Sequence, residues 1–224
     1  MVYSRRVTKL GSALFAGVIA ALVASPARAD DAVSWATAQA TELTRQGREH
    51  AAQGDTDTAA RRYLDALRFD PTFATAYLSL GALQEAAGDP REAERTYSTG
   101  LDHVNGFGEG HRARARLRIR QKRGREAVGD LEAAAGYQPG DIGTLRELAS
   151  AYVGIGALPA ALAVTRRVVW LAEEAGDGKV AGEAKVSARA LSLLVGGVDP
   201  VMAGGSGSGR GAVRSALAAV ARRR

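Results

Sequence analysis

A chain of 224 residues has room for one domain plus tails, and the absence of cysteine excludes disulfides, thiol nucleophiles and cysteine-ligated metals. The formal net charge of +6 belongs to the ends. Residues 1–29 and 201–224 carry basic side chains and no acid, whereas residues 30–200 hold 21 basic against 24 acidic groups, so the body itself is not basic.

Taken in order, Arg5, Arg6 and Lys9 precede a 15-residue apolar run, Leu10 to Ala24, and Ala27-Arg28-Ala29 has the small-residue spacing of a cleavage site before Asp30. This is the pattern of a secretory signal. The run is shorter than the roughly 20 apolar residues a membrane span needs. A signal peptide over residues 1–29, cut near Ala29, is therefore expected, leaving a periplasmic or secreted protein. An uncleaved N-terminal membrane anchor is the alternative. Ser4-Arg5-Arg6 only partly matches a twin-arginine signal.

Self-similarity governs the next stretch. Ala59, Ala93, Ala127 and Ala161 fall 34 residues apart, and so do the small residues Gly47, Gly81, Ala115 and Ala149. Tyr63, Tyr97 and Leu131 fill one large position, and Ala66, Gly100 and Ala134 another small one. Gly54, Gly88 and Gly156 end helical runs at the same phase, with Lys122 standing where the third glycine is due. Short side chains at fixed phase let paired helices approach closely. Asp89, Pro90 and Glu92 read as N-cap, first-turn proline and capping box of a second helix. Asp55 and Asp141 read as caps too.

At these residues the chain resembles the tetratricopeptide repeat (TPR) family, whose units are 34-residue helix–turn–helix hairpins. The resemblance implies an all-α fold, a right-handed α-α superhelix of about four hairpins (40–73, 74–107, 108–141 and 142–175). Residues 30–39 extend the first helix, with Trp35 covering the opening face. A stripe of Val180, Ala184, Ala188, Leu191 and Leu194 makes residues 176–200 a capping helix. The third hairpin departs from the pattern. His111 stands where the others have Leu43, Tyr77 and Leu145, the next core positions are Arg114 and Arg118, and Gly106, Gly108 and Gly110 are expected to loosen its start. Phe107 offers a substitute core anchor.

Residues 201–211 form a Gly/Ser linker. Residues 212–224 form a basic amphipathic tail in which Arg214, Arg222, Arg223 and Arg224 suit an anionic membrane or polyanion.

No assembled catalytic or metal-binding set stands out. His50, His103 and His111 are not spaced as ligands, and His50 falls on a large core position. No cofactor and no enzymatic activity are expected. By the TPR resemblance, first helices line a concave groove that holds peptides. Carried over, Arg112, Arg116 and Arg120 face that groove, joined by Arg45, Arg48 and Arg146. Guanidinium groups bind carboxylates bidentately, so the partner expected is a protein with an acidic segment. The function implied is a non-catalytic interaction scaffold. The alternative is an envelope-associated assembly factor held at an anionic surface. Export and the few interleaved aromatics argue against nucleic acid.

Overall fold

The computed structural model describes residues 26–196, with side chains described from residue 34 onward. The apolar run of the expected signal, the linker and the basic tail lie outside the described residues. Nine helices and no strand occur among those described. By internal contacts the chain divides into two units, Met1–Leu80 and Gly81–Arg224.

The first unit holds α1 (Pro26–Ala52), α2 (Thr56–Phe69) and the start of α3 (Ala74–Ala86). Asp55 caps α2 by accepting from the Thr58 N–H, and Ala59, Tyr63 and Ala66 form one buried stripe at helical spacing. A Cβ built on Gly47 of α1 would overlap the Tyr63 ring, which is why that position is glycine. Ala40, Ala66 and Ala76 make the centre of this core, with Leu43, Leu67 and Phe73 around it. Trp35 is 57% exposed and meets Phe69 edge-on at 5.5 Å. His50 is half-buried, its Nδ1 lying 3.3 Å from Asp55 Oδ2.

Thr44 is fully buried, and its Oγ1 has no hydrogen-bond partner among the described residues. An unpaired buried hydroxyl is destabilising. Thr44→Val is therefore expected to raise the unfolding free energy by about 1 kcal/mol in urea titrations. A loss of stability would show that the hydroxyl is satisfied.

The second unit holds the end of α3, then α4 (Pro90–His103), α5 (Gly108–Arg120), α6 (Gly124–Tyr137), α7 (Ile142–Gly154), α8 (Leu158–Glu174) and α9 (Gly178–Val195). Helices α3, α5 and α7 start 34 residues apart, as do α2, α4, α6 and α8. The phase-locked alanines 59, 93, 127 and 161 are all fully buried. The Asp89 cap accepts from Glu92 N–H at 3.2 Å, but only half of the expected capping box forms. The Glu92 carboxylate turns to Arg95, and the Asp89 N–H donates to the Gln84 carbonyl at 2.9 Å instead.

The third hairpin keeps the phase despite its composition. Gly108 and Gly110 are buried rather than loosening, because a Cβ on Gly110 would overlap the Phe107 ring and Gly108 packs against Tyr137. Phe107 is buried and anchors the start of α5. Ala115, Ala127, Val128 and Leu131 then pack against Leu148 and Ala151 of α7. Leu145, Val168 and Ala184 join α7 and α8 to α9, whose Leu191 also packs on Ala161 and Leu162. Leu194 leaves the expected stripe and is exposed, as are Val186, Leu193 and Val195.

Candidate functional site, an arginine-rich hairpin

The eight basic residues between His111 and Arg125 fall into three sets with different surroundings. The first set is buried. Asp130 of α6 is only 4% exposed and accepts from Arg114 Nη2 at 2.7 Å, Arg114 Nε at 3.1 Å and Arg118 Nη1 at 2.8 Å. His111 Nδ1 lies 3.1 Å from the same carboxylate, and its ring stacks on Tyr137. Arg118 also reaches Glu94 of α4 at 2.9 Å, and Arg114 donates to Ser98 Oγ at 2.9 Å. The two arginines at core positions thus exchange apolar packing for a closed ionic network tying α4, α5 and α6. Burial works to raise the Asp130 pKa. Hydrogen bonds from Arg114 and His111, with the charges of Arg114 and Arg118, outweigh it and hold the carboxyl below the usual carboxylate range.

The second set runs along the first helices. Arg112 donates to Glu147 of α7 from Nε at 3.0 Å and from Nη2 at 2.7 Å, and lies 3.3 Å from Asp141. Arg116 donates to the same Glu147 from Nε at 2.9 Å and Nη2 at 2.5 Å. Arg120 pairs with Glu85 of α3, and Arg146 of α7 donates to Glu183 of α9 at 3.2 Å. Each bond joins one first helix to the next, or to the cap. Burial would raise Glu147, but bonds from Arg116 and Arg112 hold it low. Glu94 is held low mainly by Arg123.

These lowered values set an acid limit. A carboxylate depressed in the native state adds stability above its unfolded pKa, ~4 for Asp and Glu, and loses it as pH falls through the native value. Urea midpoints are therefore expected to stay level down to about pH 5 and to fall progressively below about pH 4. A midpoint unchanged at pH 3 would contradict these ion pairs.

The third set surrounds the α5–α6 turn. All four hairpin turns close alike. In the third, Lys122 N–H donates to the Ile119 carbonyl at 3.0 Å and Arg123 N–H to the Arg118 carbonyl at 2.8 Å. This closure needs a left-handed residue, which Gly54, Gly88 and Gly156 supply at φ 82°, 83° and 78°; Lys122 adopts it at φ 62°. A left-handed L-residue costs about 1–2 kcal/mol, partly offset by glycine's greater unfolded freedom. Lys122→Gly is thus expected to stabilise by about 1 kcal/mol in chemical denaturation; a loss would reveal a stabilising contact of the lysine side chain.

Beside this turn lies an open depression of about 1030 Å³. Arg116, Arg120, Lys122, Arg123 and Arg125 line it against two carboxylates, Glu126 and Glu147. Ile119 and Ile155, 41% and 37% exposed, supply apolar surface. Arg123 pairs with Glu94 and Glu126. Lys122 and Arg125 have no ion-pair partner among the described residues.

Of the residues singled out by sequence, Arg112, Arg116, Arg120 and Arg146 therefore share the face built by α5, α7 and their neighbours in the second unit. Arg116, Arg120 and Arg146 keep 50%, 57% and 54% of their side chains exposed, while Arg112 is largely covered. Arg45 and Arg48 belong to the first unit. Arg45 pairs with Glu42 and Glu49 on its own helix, and Arg48 is exposed. The tail arginines 214 and 222–224 lie outside the described residues. Lys122 and Arg125 were not marked by sequence as site residues. The available signal was a lysine at the phase of a turn glycine. No group of three or more His, Asp or Glu side chains is placed to hold a metal among the described residues.

Residues 47–88 match the family model described as TPR repeat. No curated protein matches the sequence. Among solved structures, the chain is similar to a crystal structure of MamA protein, at 18% identity and TM-score 0.50, covering 70% of this chain and 91% of that one. It is also similar to MamA from Desulfovibrio magneticus RS-1, at 16% identity and TM-score 0.49, covering 70% and 96%. A third similar structure is YrrB, described as a TPR protein with an unusual peptide-binding site, at 16% identity and TM-score 0.49, covering 67% and 85%. Likeness at such identity is likeness of fold. Together with helical hairpins in phase at 34 residues, the match to the first of these structures gives the chain a TPR-like all-α fold, with a TPR repeat matched at residues 47–88.

Proposed function

We propose that the chain is a non-catalytic protein-interaction module that holds an acidic segment of a partner along the first-helix face of its second unit. The observation carrying this reading is the row of half-exposed guanidinium groups of Arg116, Arg120 and Arg146, each fixed by a carboxylate one repeat away. A guanidinium has five N–H donors. Glu147 takes donors from Arg116 Nε and Nη2, which leaves Arg116 Nη1 without a hydrogen bond among the described residues, and Glu183 engages Arg146 through Nη2 alone. Side chains already held in place lose little freedom when a second carboxylate arrives. The signal-like residues 1–29 support action outside the cytoplasm, as a periplasmic or secreted protein.

The test is affinity capture from cell-envelope extract with the mature chain, followed by mass spectrometry. Arg116→Gln, Arg120→Gln and Arg146→Gln are made together, because glutamine removes charge without setting like charges against Glu147. Partners with acidic segments are expected, with yields reduced at least fivefold by the triple substitution. Full retention would overturn the basic-face mechanism. Recovery of no specific partner, even with cross-linking, would overturn the interaction reading.

A further inference from the structure

We infer that the depression beside the α5–α6 turn is a peptide subsite for one large apolar side chain flanked by carboxylates. This deepens the interaction-module reading and rests on it. Three observations converge. The volume, about 1030 Å³, is at the top of the ~300–1,000 Å³ range of ligand-holding pockets, enough for a few residues of peptide. The lining is amphipathic: Ile119, Ala151 and Ile155 give apolar surface, and cations outnumber carboxylates around it. Among those cations Arg116, Arg120 and Arg123 are committed to internal carboxylates, whereas Lys122 and Arg125 have none among the described residues. A ligand carrying its own carboxylates would supply them.

The third observation is the strain at Lys122. Three sister turns place glycine at this phase without steric strain, and the third hairpin holds a lysine at φ 62° in the lining of the cavity. Strain kept at one position of a repeated motif points to a use for the side chain. The close approach of the turn to α7 has its own requirement. A Cβ on Gly124 would lie 2.9 Å from Ile155 Cγ2, so glycine there lets the turn and α7 share one cavity wall.

The occupant is therefore an acidic–apolar stretch of a protein partner, distinct from an all-acidic strand that needs only the arginine row. The test uses the full mature chain and a fluorescein-labelled pentapeptide with leucine between two pairs of glutamates, read by fluorescence anisotropy at low salt. Lys122→Gly and Arg125→Gln are each expected to weaken binding about three- to tenfold, and the pair more than tenfold. Lys122→Gly should meanwhile raise the urea midpoint, so its weaker binding is not loss of fold. Serine in place of the peptide leucine should weaken binding, and glutamines in place of the glutamates should abolish it.

Wild-type affinity in the Lys122→Gly/Arg125→Gln double variant would overturn the subsite while leaving the interaction module intact. Its envelope partners would still be captured. Failure of the wild-type chain to bind the peptide at millimolar concentration would overturn the subsite too. Full competition by inorganic phosphate with no effect of the leucine would reassign the depression as a simple anion site.

Discussion

Asp130→Ala is expected to lower the unfolding free energy by about 3–5 kcal/mol, the largest effect of any single change discussed for this chain. The carboxylate is almost wholly buried and takes bonds from Arg114, Arg118 and His111 at 2.7–3.1 Å. Deleting it leaves two largely buried guanidinium groups, Arg114 with Ser98 Oγ as its remaining partner and Arg118 with Glu94. Removing one partner of a buried ion pair costs far more than the pair contributes, because desolvation of the remaining charge is no longer offset. Two controls separate this from simple loss of a side chain. Asp130→Asn keeps the shape and loses the charge, so it should fall between wild type and alanine. Arg114→Leu, Arg118→Met and Asp130→Leu together give a largely apolar set like that of the fourth hairpin, where Leu148, Tyr152 and Val164 stand at these phases, and should come within about 1–2 kcal/mol of wild type or exceed it. Urea unfolding followed by circular dichroism reads all three. A cost under about 1 kcal/mol for Asp130→Ala would mean that water, not Asp130, satisfies the arginines.

Gly81→Ala should cost about 1–2 kcal/mol, although alanine is by about 1 kcal/mol the better helix former. A Cβ at residue 81 would overlap the ring of Tyr97, itself only 2% exposed and donating to Glu85 at 2.7 Å. The ring cannot retreat without breaking that bond and opening a void. The third hairpin shows the alternative solution: Ala115, at the same phase, comes with Leu131 in place of tyrosine. Tyr97→Leu should therefore rescue Gly81→Ala, and a double-mutant cycle should give a coupling of about 1 kcal/mol or more in favour of the pair. Additive losses would show that small–large matching across the hairpin does not set the helix separation.

Much of the fold was legible because its physics is local or periodic. The 34-residue spacing of Ala59, Ala93, Ala127 and Ala161 marked the residues that turned out fully buried. Asp55, Asp89 and Asp141 marked helix starts because each carries a short acceptor at an N-cap. Glu92 misled in part: a carboxylate three residues after a cap has two uses, and Arg95 on the next turn took it. Gly108 and Gly110, in the first turn of α5, misled for a similar reason. Composition read them as freedom, but Phe107 and Tyr137 occupy the space their missing side chains leave.

The candidate site was half legible. The phase placed Arg112, Arg116, Arg120 and Arg146 on first helices, yet their partners sit 35, 31, 35 and 37 residues away and emerge only when hairpins stack. These separations are close to one period, which is the trace such a ladder leaves in sequence. Asp130 was the harder case. Its equivalents are Arg62, Thr96 and Val164, so phase alone says nothing. What points to it is the demand of Arg114 and Arg118: two arginines at core positions need a carboxylate within the same hairpin. Lys122 and Arg125 were hidden in a run of like charges, and only the pairing of their neighbours leaves them apart.

The proposed acidic partner would sit on one face, made by α5, the α5–α6 turn and α7. Hydrogen–deuterium exchange of the chain, with and without a captured partner or the glutamate–leucine peptide, is the decisive measurement. Protection is expected over residues 116–126 and 146–155, with the outer faces of α6 and α8 unchanged. Protection confined to those outer faces, or to the first unit, would contradict that placement.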